Sequence, residues 1–180
     1  MNTLDLIGPM LGAAHAYIEG EAVHCRTEDD SSEQRTEYRF WADQTDLRVE
    51  RSDGVVLVRG RDRSGDPLEQ VTYRRKILER GPHLGPGRHE VERLLMPRSA
   101  LIWGRPGEDW RLTEQVHELA RDRVRIRLAS TQGEDGAAFI EVDPDSGRLW
   151  TITVPGERWE ITSLRDHPAD GRDPTFRFVV

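Results

Sequence analysis

The sequence predicts an α+β fold: one strongly curved antiparallel sheet, a half-barrel, with an N-terminal helix and a central short helical segment covering its concave face. Three observations predict it. Segments of strand composition follow one another with turn signals and no helix between them, which excludes βαβ alternation and a parallel sheet. Residues 137–164 read as a consecutive three-stranded meander around two turn signals. Only residues 3–15 and 90–102 carry apolar residues at helical spacing.

In chain order, Leu4, Ile7, Leu11 and Ala14 follow Thr3 as a cap, so 3–15 reads as an amphipathic helix weakened at Gly8-Pro9. Residues 16–26 and 33–42 turn to strand composition across a polar hairpin at 27–32, and Thr36, Tyr38 and Phe40 share a face. Leu47 and Val49 alternate with Arg48 and Glu50, and Ser52-Asp53-Gly54 turns the chain into a strand at 55–58. Residues 68–78 supply one strand, with Val71 and Tyr73, before a loop built from Gly81-Pro82, Gly85-Pro86 and Gly87. Val91, Leu94 and Leu95, then Ala100 and Leu101, give two short helical turns divided by Pro97.

The second half is strand-rich. Leu112 and Val116 fall out of phase within 111–119, which predicts a bulge or bend. Val124, Ile126 and Leu128 alternate with Arg123, Arg125 and Arg127, so one face is buried and three guanidiniums point the other way. In the meander Trp150, Ile152 and Val154 share one face, and Leu149, Thr151 and Thr153 the other. Val154-Pro155-Gly156-Glu157 forms a tight turn that places Trp159 and Ile161 opposite the Trp150 face. Phe176, Phe178 and Val180 suggest a last edge strand.

Composition bounds the function. A chain of 180 residues suits one domain, 1–180, able to bury roughly 70% of its unfolded surface. The single cysteine, Cys25, leaves no intramolecular disulfide and no thiolate metal site. The start lacks a basic n-region and a long apolar run, so neither a signal peptide nor a membrane span is expected, and the expected location is the cytoplasm. Basic residues are 25 Arg and one Lys, a skew that follows from a GC-rich genome rather than from phosphate recognition.

Net charge is −7 overall but −7 over 1–58, +4 over 59–98, +1 over 99–130 and −5 over 131–180. Arg59, Arg61, Arg63, Arg74, Arg75, Lys76 and Arg80 are interleaved with acids and no aromatic ladder, so they read as a solvated strand face, and no nucleic-acid partner is expected. The six histidines match no zinc spacing, and Glu28, Asp29, Asp30 and Glu33 lack the spacing of a calcium loop. His24 and Cys25 are adjacent in a strand and point to opposite faces, which disfavours a catalytic pair. Ser99, Ser130 and Ser163 lack a nucleophile elbow, and 81–87 lacks the Lys-Ser/Thr of a P-loop. No catalytic residue, metal ligand or cofactor is therefore expected. The five tryptophans read first as core.

The order helix, four strands, helical turn "ERLLMPRSAL" at 92–101, strand pair and "VDPDSGRLW" hairpin at 142–150 resembles the LolA-like lipoprotein-carrier superfamily. That family comprises unclosed β-barrels with helices as a lid; it includes lipoprotein carriers, LppX-type lipid-binding lipoproteins and the sensor domain of RseB-like sigma-factor regulators. The chain looks like a cytoplasmic, actinobacterial-type member, without the export signal or lipobox cysteine of the exported proteins. The resemblance implies a non-catalytic protein holding a lipid or other apolar small molecule. Tyr38, Phe40, Leu47, Val49, Trp150 and Ile152 would line the concave face, and 3–15 and 90–102 would form a lid that flexes at Pro9 and Pro97. The alternative is a regulatory or protein-interaction module with a fully packed core, taking a protein partner on a sheet edge or on the basic 59–80 region.

Overall fold

A computed structural model describes residues 2–13, 17–28, 31–43, 46–61, 64–82, 89–120, 122–133 and 136–167. Among them are eleven strands and two helices: α1 (Thr3–Gly12), β1 (Tyr17–Thr27), β2 (Glu33–Asp43), β3 (Leu47–Arg51), β4 (Val55–Arg61), β5 (Pro67–Tyr73), β6 (Lys76–Pro82), α2 (Glu90–Leu95), a 3-10 turn (Pro97–Ser99), β7 (Trp110–Ala120), β8 (Arg123–Ser130), β9 (Phe139–Val142), β10 (Leu149–Val154) and β11 (Glu157–His167). Hydrogen bonding orders the strands β6-β5-β4-β3-β2-β1-β11-β10-β9-β8-β7. The strand pairings β2–β3, β3–β4, β4–β5, β5–β6, β7–β8, β8–β9, β9–β10 and β10–β11 are all antiparallel, which matches the predicted sheet type. The expected strand at 176–180 lies outside the described residues.

The chain forms two compact units. Unit 1 comprises residues 1–14, 24–35 and 87–161; unit 2 comprises 15–23, 36–86 and 162–180.

In unit 1 both helices pack on strands: α1 on β7 and the 3-10 turn, α2 on β10. The cap of α1 is Asn2 rather than Thr3: its side chain accepts from the Asp5 backbone N–H while Asp5 accepts from the Asn2 N–H, a reciprocal capping box. The buried stripe also differs from the expected one. Leu6 and Met10 are 1% and 0% exposed, whereas Leu4 and Leu11 stand at 77% and 49%. Both stripes have helical spacing, and only the strands beneath select between them. Val91 and Leu94 of α2 are buried, as are Val124, Ile126, Ile140 and Leu149 on the strands. The alternation at 123–128 is as expected, and β7 breaks register between Leu112 and Val116 as its phase change predicts.

The meander forms with its turns near Gly147 and Gly156, but one face assignment fails. Leu149 pairs with Val142 and Thr151 with Glu141, so Trp150 is an extra residue in a β-bulge. Ile152 pairs with Ile140 and Trp159, on the face of Ile126. Trp150 instead lies against Arg123, whose guanidinium is 4.8 Å from its ring, and Leu149 rather than Trp150 enters the core. A bulge resets the period of two, and composition alone does not announce it.

Unit 2 holds most of β2, all of β3 to β6, residues 17–23 of β1 and residues 162–167 of β11. The expected single strand at 68–78 is two strands, joined by a tight turn in which Arg74 and Arg75 take φ of 46° and 68°. Such turns usually carry Asn-Gly, and two arginines give no such signal.

Candidate functional site

The predicted ligand-lining residues divide between the units. Tyr38, Phe40, Leu47 and Val49 come together on one face of β2 and β3 in unit 2, all buried, with Phe40 opposite Val49 and Ala42 opposite Leu47. Trp150 and Ile152 lie in unit 1 and the bulge sends them to opposite faces.

Register extends the unit 2 face across two more strands. Val49 pairs with Leu57 and Leu57 with Val71, giving the apolar row Phe40–Val49–Leu57–Val71. Exposure rises along it: Phe40 and Val49 are 0% and 2% exposed, whereas Leu57 and Val71 are half-buried. No helix belongs to unit 2 among its described residues.

The row is bounded by charge on both sides. On one side Ala42–Leu47–Arg59–Glu69 are in register, and the Arg59 side chain, 1% exposed, donates from Nε and Nη2 to Glu69 Oε2 at 3.1 and 3.0 Å. Two donors of one rigid guanidinium on one carboxylate hold the charge in place where an unpaired ion would be very costly. Sequence reasoning placed Arg59 on a solvated face, which the structure corrects. The signal was present, since Val55, Leu57 and Arg59 alternate onto one side of β4.

On the other side Tyr38 faces Arg51. The Asp53 carboxylate, hydrogen-bonded to Arg51 at 2.8 and 2.6 Å, raises the Arg51 pKa further above its ordinary value, and the Tyr38 phenol adds to this. In return Arg51 holds the Asp53 carboxyl below its usual range.

Unit 2 also has a cleft of about 210 Å³, whose walls include Glu19, Gly20, Phe40, Trp41, Ser163 and Arg165. That is below the roughly 300 Å³ at which drug-sized ligand sites begin. A Cβ on Gly20 would lie 2.6 Å from Phe40 Cζ and 2.3 Å from the Ser163 carbonyl oxygen, so the ring of Phe40 packs directly on this glycine. Arg165 and His167 each approach Glu19 Oε1 at 3.3 Å. The cleft is thus small, and charged groups stand at its walls.

No group of three or more His, Cys, Asp or Glu that could hold a metal occurs among the described residues. None of the described helices is long and apolar enough to cross a membrane.

No family model and no curated protein matches the chain. Similar solved structures include MucB (15% identity, TM-score 0.41), covering 94% of this chain and 60% of that one, so the chain spans about three fifths of MucB. Others are a DUF1329 family protein from Desulfovibrio piger (11%, TM-score 0.39, 90% of each chain) and a LolA superfamily protein from Nitrosomonas europaea (10%, TM-score 0.35, 94% and 96%). MucB has also been solved in complex with MucA(peri); that structure covers 94% of this chain and 57% of its own, at 18% identity and TM-score 0.40. At these identities and scores no residue role passes from those proteins to this chain.

Proposed function

We propose that this chain is a non-catalytic binding protein that holds a lipid or another apolar group against the β2–β5 face of unit 2. The observation that carries the proposal is the Phe40–Val49–Leu57–Val71 row, half-exposed at its β4–β5 end and flanked by the fixed guanidiniums of Arg51 and Arg59. Ligand sites are mostly apolar with a few placed polar groups, and this face has that composition. The expected lid helices α1 and α2 belong to unit 1 and pack on its own elements, so the binding proposed for the unit 2 face does not depend on them.

The test is a titration with a dansyl-labelled undecanoic acid. Saturable binding is expected in the wild type, weakened at least about tenfold by Leu57→Asp and Val71→Asp, which place charge on half-buried positions. Both variants must keep the wild-type circular dichroism spectrum. Absence of saturable binding, or binding by both variants as tight as that of the wild type, rejects the lipid reading.

One observation favours the second reading, a protein-interaction module. Ile77 and Leu78 on the end strand β6 are 55% and 63% exposed, beside Arg74, Arg75 and Lys76. Exposed apolar residues on a sheet edge suit a protein partner.

A further inference from the structure

We propose that the face of β7–β11 turned away from the helices of unit 1 is a docking surface for an acidic protein segment in extended conformation. Register defines the surface. One row reads His117–Arg125–Glu141–Thr151–Glu160 and the next Arg127–Phe139–Thr153–Arg158, with Arg111 opposite Ala129 and Arg123 completing the series on β8. The surface thus carries five arginines against two glutamates, in a chain whose net charge is −7. Their side chains stand in or near solvent: those of Arg123, Arg125 and Arg158 are 35%, 40% and 46% exposed, and Arg111 and Arg127 are exposed residues.

The guanidiniums are also held in place. Arg125 lies 4.2 Å from the Phe139 ring and Arg123 4.8 Å from the Trp150 ring. Glu141, 8% exposed, anchors both, at 2.7 Å from Arg125 and 3.7 Å from Arg123. The Trp150 bulge supplies the second ring to this surface, which explains a tryptophan that the core does not use.

Spacing and charge select the occupant. Arg123, Arg125 and Arg127 recur about every 6.8 Å along β8, twice the rise of a strand. That is the repeat of same-face side chains in an extended peptide, so alternate carboxylates can meet successive guanidiniums, which bind carboxylates through paired N–H groups. A long polyanion or a bilayer surface would also meet the field of the acidic remainder. A short segment lies within about one Debye length, ~8 Å, of the local positive excess and is screened from the rest.

The experiment is fluorescence anisotropy with a labelled ten-residue peptide alternating Glu and Thr, at 20 and 300 mM salt. Phosphatidylglycerol vesicles serve as a parallel probe. Saturable binding at low salt is expected, weakened about tenfold or more in Arg111→Gln/Arg127→Gln/Arg158→Gln and less than about twofold in Arg74→Gln/Arg75→Gln/Arg80→Gln on β5–β6. Arg158 Nη2 also donates to the buried Cys25 Sγ at 3.7 Å, so the double variant Arg111→Gln/Arg127→Gln replaces the triple one if loss of that contact impairs folding. No saturable peptide binding, equal loss in the β5–β6 variant, or binding to vesicles but not to peptide overturns the proposal.

Discussion

Replacing Gly147 by Ala tests how α1 is held. Gly147 has φ of +72°, and a Cβ there would lie 2.1 Å from both the carbonyl carbon and oxygen of Pro9, and 2.5 Å from Met10 N. Two costs follow. The left-handed backbone alone costs an L-residue roughly 1–2 kcal/mol. The clash is with backbone rather than a flexible side-chain end, so restoring contact at 3.4 Å requires the turn and the helix to separate by more than an ångström. If the turn yields, little more than the backbone strain is lost. If α1 yields, Leu6 and Met10 leave a site where they are 1% and 0% exposed, at about 1.5–3 kcal/mol each. The expected loss is about 3–5 kcal/mol by urea unfolding, with faster amide exchange confined first to residues 3–12. Gly156→Ala is the control: its φ is +74° but nothing lies within 4 Å of its Cβ, so it should cost only the strain, about 1–2 kcal/mol. A Gly147→Ala stability within about 0.5 kcal/mol of Gly156→Ala would refute the expectation that α1, rather than the turn, gives way.

Other expectations are independent of that contact. Trp159→Ala should cost about 3–5 kcal/mol, because the indole is 7% exposed and stacks on His24 at 4.1 Å; an unchanged denaturation midpoint would contradict its burial. Glu108→Ala should cost about 2–4 kcal/mol, since the buried carboxylate accepts from the backbone N–H of Trp103 at 2.8 Å and of Arg105 at 3.1 Å, and both donors would lose their partner; Glu108→Gln should cost less. Asp53 should titrate below the usual aspartate range in a carboxyl-detected NMR titration. Because its folded-state pKa is lowered, its contribution is present above the unfolded pKa and fades as pH falls through the folded one. Exposure limits that contribution to a few tenths of a kcal/mol, and Asp53→Asn should abolish it.

What was legible in the sequence was whatever local chemistry decides. Pro97 divides the central helical segment where expected, Gly156 turns β10 into β11, and Val124, Ile126 and Leu128 enter the core as their alternation requires. Cross-strand register decided the rest. The bulge at Trp150 reversed a face, the Arg74-Arg75 turn divided one expected strand into two, and Arg59 entered an apolar face because Glu69 on the next strand could receive it. In α1 two stripes had helical spacing, and packing buried Leu6 and Met10. The candidate site was legible in half: Tyr38, Phe40, Leu47 and Val49 do gather, but the partners that extend or bound their row, Leu57, Val71 and Arg59, appear only once strands are paired.

The bond from Thr3 Oγ1 to the carbonyl of Thr113, 2.6 Å long, spans 110 residues of chain. At ~5–20 residues per second, translation delivers α1 on the order of 5–20 s before the strand that receives it. Throughout that interval α1 lacks the strand on which it packs in the folded protein. The hairpins β3 to β6 differ, because each strand meets its predecessor within a few residues and can pair as it emerges. Native packing of α1 on β7 is therefore deferred until more than 100 residues have followed it, whereas β3 to β6 pair with near neighbours in the chain.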